Sequence, residues 1–423
     1  MSKRRPRDKG DGGLYKNAQG LWTAAITLPA DPITGKRRRK VVRSKSYETA
    51  RTKLDELKQN LAESGDLPTA SPTVAAWMTY WLDNISKSRN KPRTHDGYRG
   101  YVNRYIVPQL GRIKLDKLTP ADVTRMRTTI TDPAPKGLGL SSTTALQAHS
   151  ILRKALRDAQ RVGRVRRNVA TLVDAPSKRV ARMSIPTTEE TVQFLTYHAA
   201  DPYVARYFLQ MCTGCRQGEA LGAHIEHIDL TRDGSGKAVG GKITFAWQVQ
   251  RLRWEHGCGD SPCGRKRAAE CPQRHFDVPD DLEGEQLHGA LWRLRPKTAT
   301  SFREVALVPQ LAEVLDRIIG DRTEGLVFTE GGHPVDPRRD WGRWSEWLKD
   351  AGLPHYTDHA LRHMVATVLN ALGTDERTRM DVLGHSVAAT TRGYTHGDLT
   401  LQAKAMGQLG AALTWEPRFD EWK

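Results

Sequence analysis

Acidic residues are in short supply. The 423-residue chain has 48 Asp and Glu against 66 Lys and Arg, a formal net charge of +18, and its pI is near 9.8. Such an imbalance points to a polyanionic partner, with nucleic acid the leading class. Cysteine is scarce too. There are five, and the clustering of Cys258, Cys263 and Cys271 is not the even framework of a disulfide-stapled secreted domain. No uninterrupted apolar run is long enough to span a bilayer, and the opening MSKRRPRDKGDGG lacks the apolar segment of a signal peptide. No internal repeat is visible. These absences lead to the expectation of a soluble protein of a reducing compartment, cytoplasmic and nucleoid-associated, with no membrane partner. The length suggests two or three domains.

What the chain does have is concentrated between Thr357 and His396, TDHALRHMVATVLNALGTDERTRMDVLGHSVAATTRGYTH. Asp358 or Thr357 can cap a helix. Leu361, Val365, Val368 and Leu372 then recur at helical spacing and give that helix an apolar face. His359 and Arg362, three apart, project from one face. Gly384-His385 follows, and Tyr394 comes nine residues later. A base-capable imidazole, a guanidinium, a second imidazole and a phenol in one short segment are the inventory for attacking a phosphodiester without a metal.

In this order, His-x-x-Arg, Leu-Gly-His and Tyr resemble the C-terminal signature of the tyrosine recombinases, the phage-integrase family. Two further stretches join the resemblance. TGCRQGEALG, residues 213–222, is similar to the family's first arginine box and maps Arg216 onto a catalytic arginine, with Glu219 placed to orient it. RPKTATSFR, residues 295–303, is similar to P-K-T-x-x-S-x-R and maps Lys297 onto the family's hairpin lysine. The resemblance implies a role for each residue. Arg216, Arg362 and His385 would stabilise the non-bridging oxygens, where charge builds in attack on phosphorus. Tyr394 would be the nucleophile and form a 3′-phosphotyrosine. His359 would accept its proton, and Lys297 would protonate the departing 5′ oxygen. No ATP, metal or other cofactor is implied for catalysis. Tyr356 is the competing phenol; His363 and His396 are weaker candidates.

The resemblance also orders the rest. The expected fold class is α+β and multidomain. A small β-sheet-plus-helix arm-type DNA-binding domain occupies residues 1–66, with Trp22 in its core and Lys36, Arg37, Arg38, Arg39 and Lys40 toward DNA. An all-α core-binding, SAM-like domain follows over 72–176, with Arg153, Arg157 and Arg161 on its outer faces. The catalytic domain spans 186–415, mainly α with a small antiparallel sheet, and 416–423 is a tail. The expected partner is double-stranded DNA carrying attachment sites, bound by a homotetramer, with a host bending factor or directionality factor as accessory. The apolar positions after Asp398 are expected to dock on a neighbouring protomer. Site-specific integration or excision of an actinobacterial phage or mobile element is the leading function. A dimer-resolving recombinase, a type IB topoisomerase and a catalytically silent DNA-binding protein are the rivals. Residues 251–295 are too long for a tight hairpin. Within them, Cys258, Cys263, Cys271 and His275 have the density of a structural zinc site.

Overall fold

The computed structural model describes residues 12–31, 33, 35, 37–64, 71–176, 184–259, 261–295, 302–384 and 399–422. Lys36, Lys297, His385, Tyr394 and His396 lie outside them. The chain divides into two compact units, Met1–Val180 and Ala181–Lys423.

The first unit opens with an antiparallel sheet of β1 (Gly13–Lys16), β2 (Trp22–Leu28) and β3 (Arg38–Ser44), in that order. Asn17 shapes the first turn, its Oδ1 accepting N–H bonds from Gln19 and Leu21. Period-two alternation places Ala24, Ile26 and Leu28 against Leu54 of the helix Tyr47–Ser64. Trp22, expected in this core, is only half-buried and meets Tyr47 edge-on at 4.8 Å. The same alternation sorts the basic strand. Arg39, Val41 and Arg43 are exposed on one face. Arg38 turns the other way and is buried, its Nε donating to the Pro29 carbonyl at 2.9 Å. A direct DNA contact by Arg38 is therefore at odds with its position.

Helices with a separate core complete this unit. The helix from Val74 to Arg89 begins at an N-cap Thr73, whose side chain accepts from Ala76 N–H, and passes through a π-helical turn at Leu82–Ser86. Thr119 and Asp122 form a capping box ahead of Pro120–Thr131, and Ser141 caps Ser142–Arg161. Trp77, Met78, Trp81, Val102, Ile106, Leu152 and Leu156 fill the interior. One buried carboxylate, Asp158, accepts from Trp81 Nε1 at 2.8 Å and Arg89 Nη1 at 3.0 Å. Arg153, Arg157 and Arg161, four apart, stay exposed along one stripe.

In the second unit, β4 (Ile228–Arg232) and β5 (Ala238–Phe245) form a sheet that β11 (Arg303–Leu307) completes, in the order β11-β5-β4. Between β5 and β11 lie β6 (Gln248–Arg251), β7 (Trp254–Glu255), β8 (His275–Phe276), β9 (Gly284–His288) and β10 (Leu291–Leu294). They build a second sheet, β6-β10-β9, and a two-stranded clip, β7-β8. Trp247 falls beyond β5 and lies beneath the guanidiniums of Arg293 and Arg295. The helix Val204–Thr213 is buried along its whole length and packs against Asp358–Ala371.

The last helix departs from expectation. Leu399–Ala412 packs on its own unit: Ala405, Met406, Leu409 and Leu413 join the main core. A Cβ on Gly410 would sit 3.1 Å from Val308 beside β11. The tail also returns, with Trp422 Nε1 donating to the Ala199 carbonyl at 2.8 Å. Of the apolar positions expected to seek a neighbour, Ala405, Met406, Leu409 and Leu413 fill a gap in their own domain, while Leu399 and Leu401 stay exposed. Among the described residues no helix is long and apolar enough to cross a membrane.

Candidate active site

The site starts from a chain reversal. Val204–Thr213 ends at Gly214, whose φ is +61°. A Cβ there would also meet Leu383 Cδ2 at 2.5 Å, so both conformation and space demand glycine. Arg216 then sits at the N-cap of the short helix Gln217–Leu221. Its backbone N–H donates to Glu219 Oε2 at 2.9 Å and its Nη1 to Glu219 Oε1 at 2.7 Å. The Glu219 side chain is 2% exposed, the Arg216 side chain 42%. The carboxylate is thus an internal anchor and the guanidinium faces outward.

Glu219 has a second cation. Arg303 Nη2 donates to its Oε2 at 3.0 Å from β11, and Arg303 Nε donates to the Val382 carbonyl at 2.8 Å. Arg362 acts in parallel. Its Nη1 donates to the Gly214 carbonyl at 2.8 Å and its Nη2 to the Leu383 carbonyl. Val382 and Leu383 close the helix Glu376–Leu383, whose C-cap is Gly384 at φ +61°. Carbonyls at a helix C-terminus lack intrahelical partners and carry its negative dipole end, so two buried guanidiniums suit them. Arg216, the 214 reversal and the chain leading into His385 are therefore held by one network.

Charge shapes this network. Burial alone would raise the Glu219 carboxyl, but Arg303 and Arg216 outweigh it and hold the group below its ordinary range. Burial, then the charges of Arg216 and Arg303, push Arg362 down to about 10, which still leaves it protonated at neutral pH.

The helix bearing His359 is fixed from below. Thr357 occupies the N-cap but makes no side-chain cap bond. Asp358 instead accepts from the fully buried Arg206 at 3.1 Å and from Gln210 Nε2 at 2.9 Å, and Arg206 also donates to Asp340 at 2.7 Å. The inward face is Leu361, Met364, Val365 and Leu369, while Leu372 is exposed. His359 is itself exposed, its ring 5.0 Å from His363. Lost solvation, then His363, Arg362 and Arg216, hold it below an ordinary imidazole. Tyr356 is the opposite case. It is buried, its hydroxyl donates to Glu190 at 2.9 Å, and burial with that carboxylate raises its pKa. A phenol held neutral in this way is a poor nucleophile.

In the insertion, His256, Cys258, Cys263 and Cys271 bring their donor atoms within 4.8 Å of one another. The fourth member is His256, not the His275 expected from the sequence. His275 lies in β8, opposite Glu255 in the clip. Cys212 and Cys215, the other two cysteines, are packed in the core, where burial raises both thiols.

Residues 282–400 match the phage integrase family, and residues 73–130 match the phage integrase N-terminal SAM-like domain. An integrase of Saccharopolyspora erythraea is 26% identical, the alignment covering 94% of this chain and 95% of that protein. An integrase of Streptomyces ambofaciens is 27% identical, covering 92% of each. This chain belongs to the phage integrase family of tyrosine recombinases. It is an enzyme that cuts and rejoins DNA. The fold agrees: the Tn1549 transposon integrase, solved in complex with a circular intermediate DNA, superposes with a TM-score of 0.56 at 16% identity, over 79% of this chain and 95% of that one.

Within this recombinase the structure gathers Arg216, Glu219, His359 and Arg362 and adds Arg303, to which sequence reasoning gave no part; apart from that site, in the first unit, it also exposes Arg43. Arg303 was quoted only as register for Lys297, yet it is the second hand on Glu219. Arg43 extends the exposed face of Arg39, and the strand period could have found it. A pH dependence follows from the role of base that the resemblance implies for His359. A base must be unprotonated to act, so the rate falls as pH drops through its pKa. Because that pKa is lowered, the acid limb of the cleavage pH–rate profile is expected below 6.5, the imidazole's ordinary value, and is expected to disappear in His359→Asn. A limb above that value would contradict the assignment of His359 as base.

Proposed function

We propose that this recombinase is the integrase of a mobile element and that it works through the following division of labour. Arg216 and Arg362 carry positive charge to the non-bridging phosphate oxygens, and His385 adds a donor. Tyr394 attacks phosphorus, His359 takes its proton, and Lys297 protonates the leaving 5′ oxygen. The phosphotyrosyl link conserves the energy of the broken bond, so a 5′ hydroxyl from another strand can reverse the step. The observation that carries this reading is the shared network in which Glu219, Arg303 and Arg362 hold Arg216 beside the chain entering His385. Preorganised cations of this kind lower the barrier without rearranging during reaction. No catalytic metal or nucleotide takes part; a zinc ion in the insertion belongs to this reading as a structural element.

Recombination of two duplexes calls for a homotetramer on DNA, with a bending or directionality factor as accessory, in the cytoplasm at the nucleoid. The reading keeps the three segments 1–66, 72–176 and 186–415 as arm-binding, core-binding and catalytic domains. Arg37, Arg39 and Lys40, with Lys36 and the added Arg43, are assigned to arm-site DNA. Arg153, Arg157 and Arg161 are assigned to the crossover site. An integrase of this kind binds two distinct sequences, whereas a relaxing or dimer-resolving enzyme needs only the second. Arg39→Ala with Arg43→Ala is therefore expected to erase one of two separate footprints on the DNA flanking the element. Cleavage at the crossover site should persist, and the salt dependence of binding at that site should not change. A single footprint in the parent protein, or two unchanged footprints in the variant, would overturn the arm assignment.

A further inference from the structure

The loop between β7 and β8 has almost nothing to fold around. Among its described residues from 256 to 275, Cys271 is the one buried side chain. Yet its two ends are paired, Trp254 against Phe276 and Glu255 against His275. Inside it are the three cysteines, all free thiols, and His256. His256 Nδ1 lies 3.6 Å from Cys263 Sγ and 3.9 Å from Cys258 Sγ. Tetrahedral zinc, with bonds of about 2.0–2.1 Å to nitrogen and 2.3 Å to sulfur, has N···S edges of about 3.6 Å. The observed separations are those of a site that needs only small adjustment.

The backbone is built for the same purpose. Gly259 and Gly264 directly follow Cys258 and Cys263, with φ of +53° and +71°. A Cβ at either would touch nothing within 4 Å. It is therefore the left-handed turn, not lack of space, that calls for glycine there. On the other side, the backbone N–H groups of Gly257 and Gln273 face the Cys271 sulfur and favour its thiolate. A Cβ on Gly257 would fall 2.0 Å from the Gln273 carbonyl oxygen, so the two arms of the loop cross tightly at this point. Backbone N–H groups around a sulfur are the outer-sphere support that thiolate ligands use.

The loop also has a mechanical connection. Trp254 stacks on Phe276 at 3.7 Å between centroids, Phe276 meets Trp292 of β10 edge-on at 5.1 Å, and the Arg274 guanidinium covers Trp254 at 5.1 Å. From these observations we infer that His256, Cys258, Cys263 and Cys271 bind one zinc ion, and that coordination holds the β7-β8 clip against β10. The site is structural. Four protein ligands leave no open position for substrate or water. It stands independently of the roles assigned in the active site.

The test uses the full-length protein, purified without chelator. Elemental analysis is expected to give about one zinc per chain. Cobalt exchanged into the same protein should show the visible d–d bands of a tetrahedral thiolate site. His256→Asn and Cys263→Ser should each lose most of the metal, and His275→Asn should keep it. Removing zinc from the parent protein with a chelator should speed amide exchange in β7, β8 and β10, change tryptophan emission, and leave exchange in the helix Asp358–Ala371 unaltered. Parent protein without zinc, or with a disulfide among the three thiols, would overturn the site. Full metal in His256→Asn, or its loss in His275→Asn, would overturn the ligand set. Unchanged exchange in β10 after zinc removal would overturn the bracing.

Discussion

Tyr394→Phe is expected to form no covalent adduct with a nicked duplex that traps the cleaved strand. The expected loss in cleavage rate is about 10⁵-fold or more, the scale on which an enzyme loses its nucleophile. DNA affinity should change little, because the substitution removes one oxygen and keeps the ring. Chemistry allows few alternatives. A phosphodiester is an anion and repels nucleophiles, so in a tyrosine recombinase the attacking phenol must be able to ionise beside concentrated positive charge. Tyr356, the other phenol near the signature, is buried and committed to the Glu190 carboxylate, which raises its pKa. Its Phe variant should retain cleavage wherever the protein stays folded. Undiminished adducts in Tyr394→Phe would remove Tyr394 from its role.

Glu219→Ala should have the largest effect on stability. Glu219 sits between Arg216 and Arg303 with its side chain 2% exposed, and the Arg303 side chain is 5% exposed. Deleting the carboxylate withdraws an anion from a buried cation, and breaking a pair of this kind costs about 3–5 kcal/mol. For a unit of this size the loss corresponds to a fall in Tm of roughly 10 °C. Catalysis should fall as well, since Arg216 loses the contacts that hold its backbone N–H and its Nη1. Thermal and urea unfolding of the variant, beside cleavage assays well below its Tm, separate the two effects. A stability loss under about 1 kcal/mol would show that Glu219 behaves as an ordinary surface partner. Normal cleavage in the folded variant would show that it does not position Arg216.

How far the sequence could be read depends on the range of each interaction. The helix Asp358–Ala371 and the pairing of Arg216 with Glu219 were legible because their determinants lie within a few residues of each other. Caps act over the same short range, as Thr119 and Ser141 show at the starts of their helices. Arg303 was not legible, because its carboxylate is 84 residues away and only the register of β11 against β5 brings it into the core. Arg38 was taken for a DNA contact because composition reports charge but not side. One residue of strand period turns it to the Pro29 carbonyl, while Arg39 stays exposed. His275 was taken with the three cysteines because the segment is dense in ligand residues, but density does not say which imidazole lies beside the thiols; the structure puts His256 there and His275 in the β7-β8 pairing. The helix Leu399–Ala412 was legible as amphipathic, but periodicity cannot say which surface covers an apolar face; here it is the main core of its own domain.

The most direct measurement is the identity of the residue that becomes covalently joined to DNA. The purified recombinase would be incubated, without metal or ATP, with nicked duplexes cut from the DNA flanking its coding sequence. The trapped adduct would then be digested with protease and nuclease and the nucleotide-bearing peptide sequenced by mass spectrometry. The expected result is a single 3′-phosphotyrosine at Tyr394, absent when Arg216 or Arg362 is replaced by alanine. A linkage at Tyr356 or at a serine, or adduct formation that depends on an added divalent metal, would contradict the proposed mechanism.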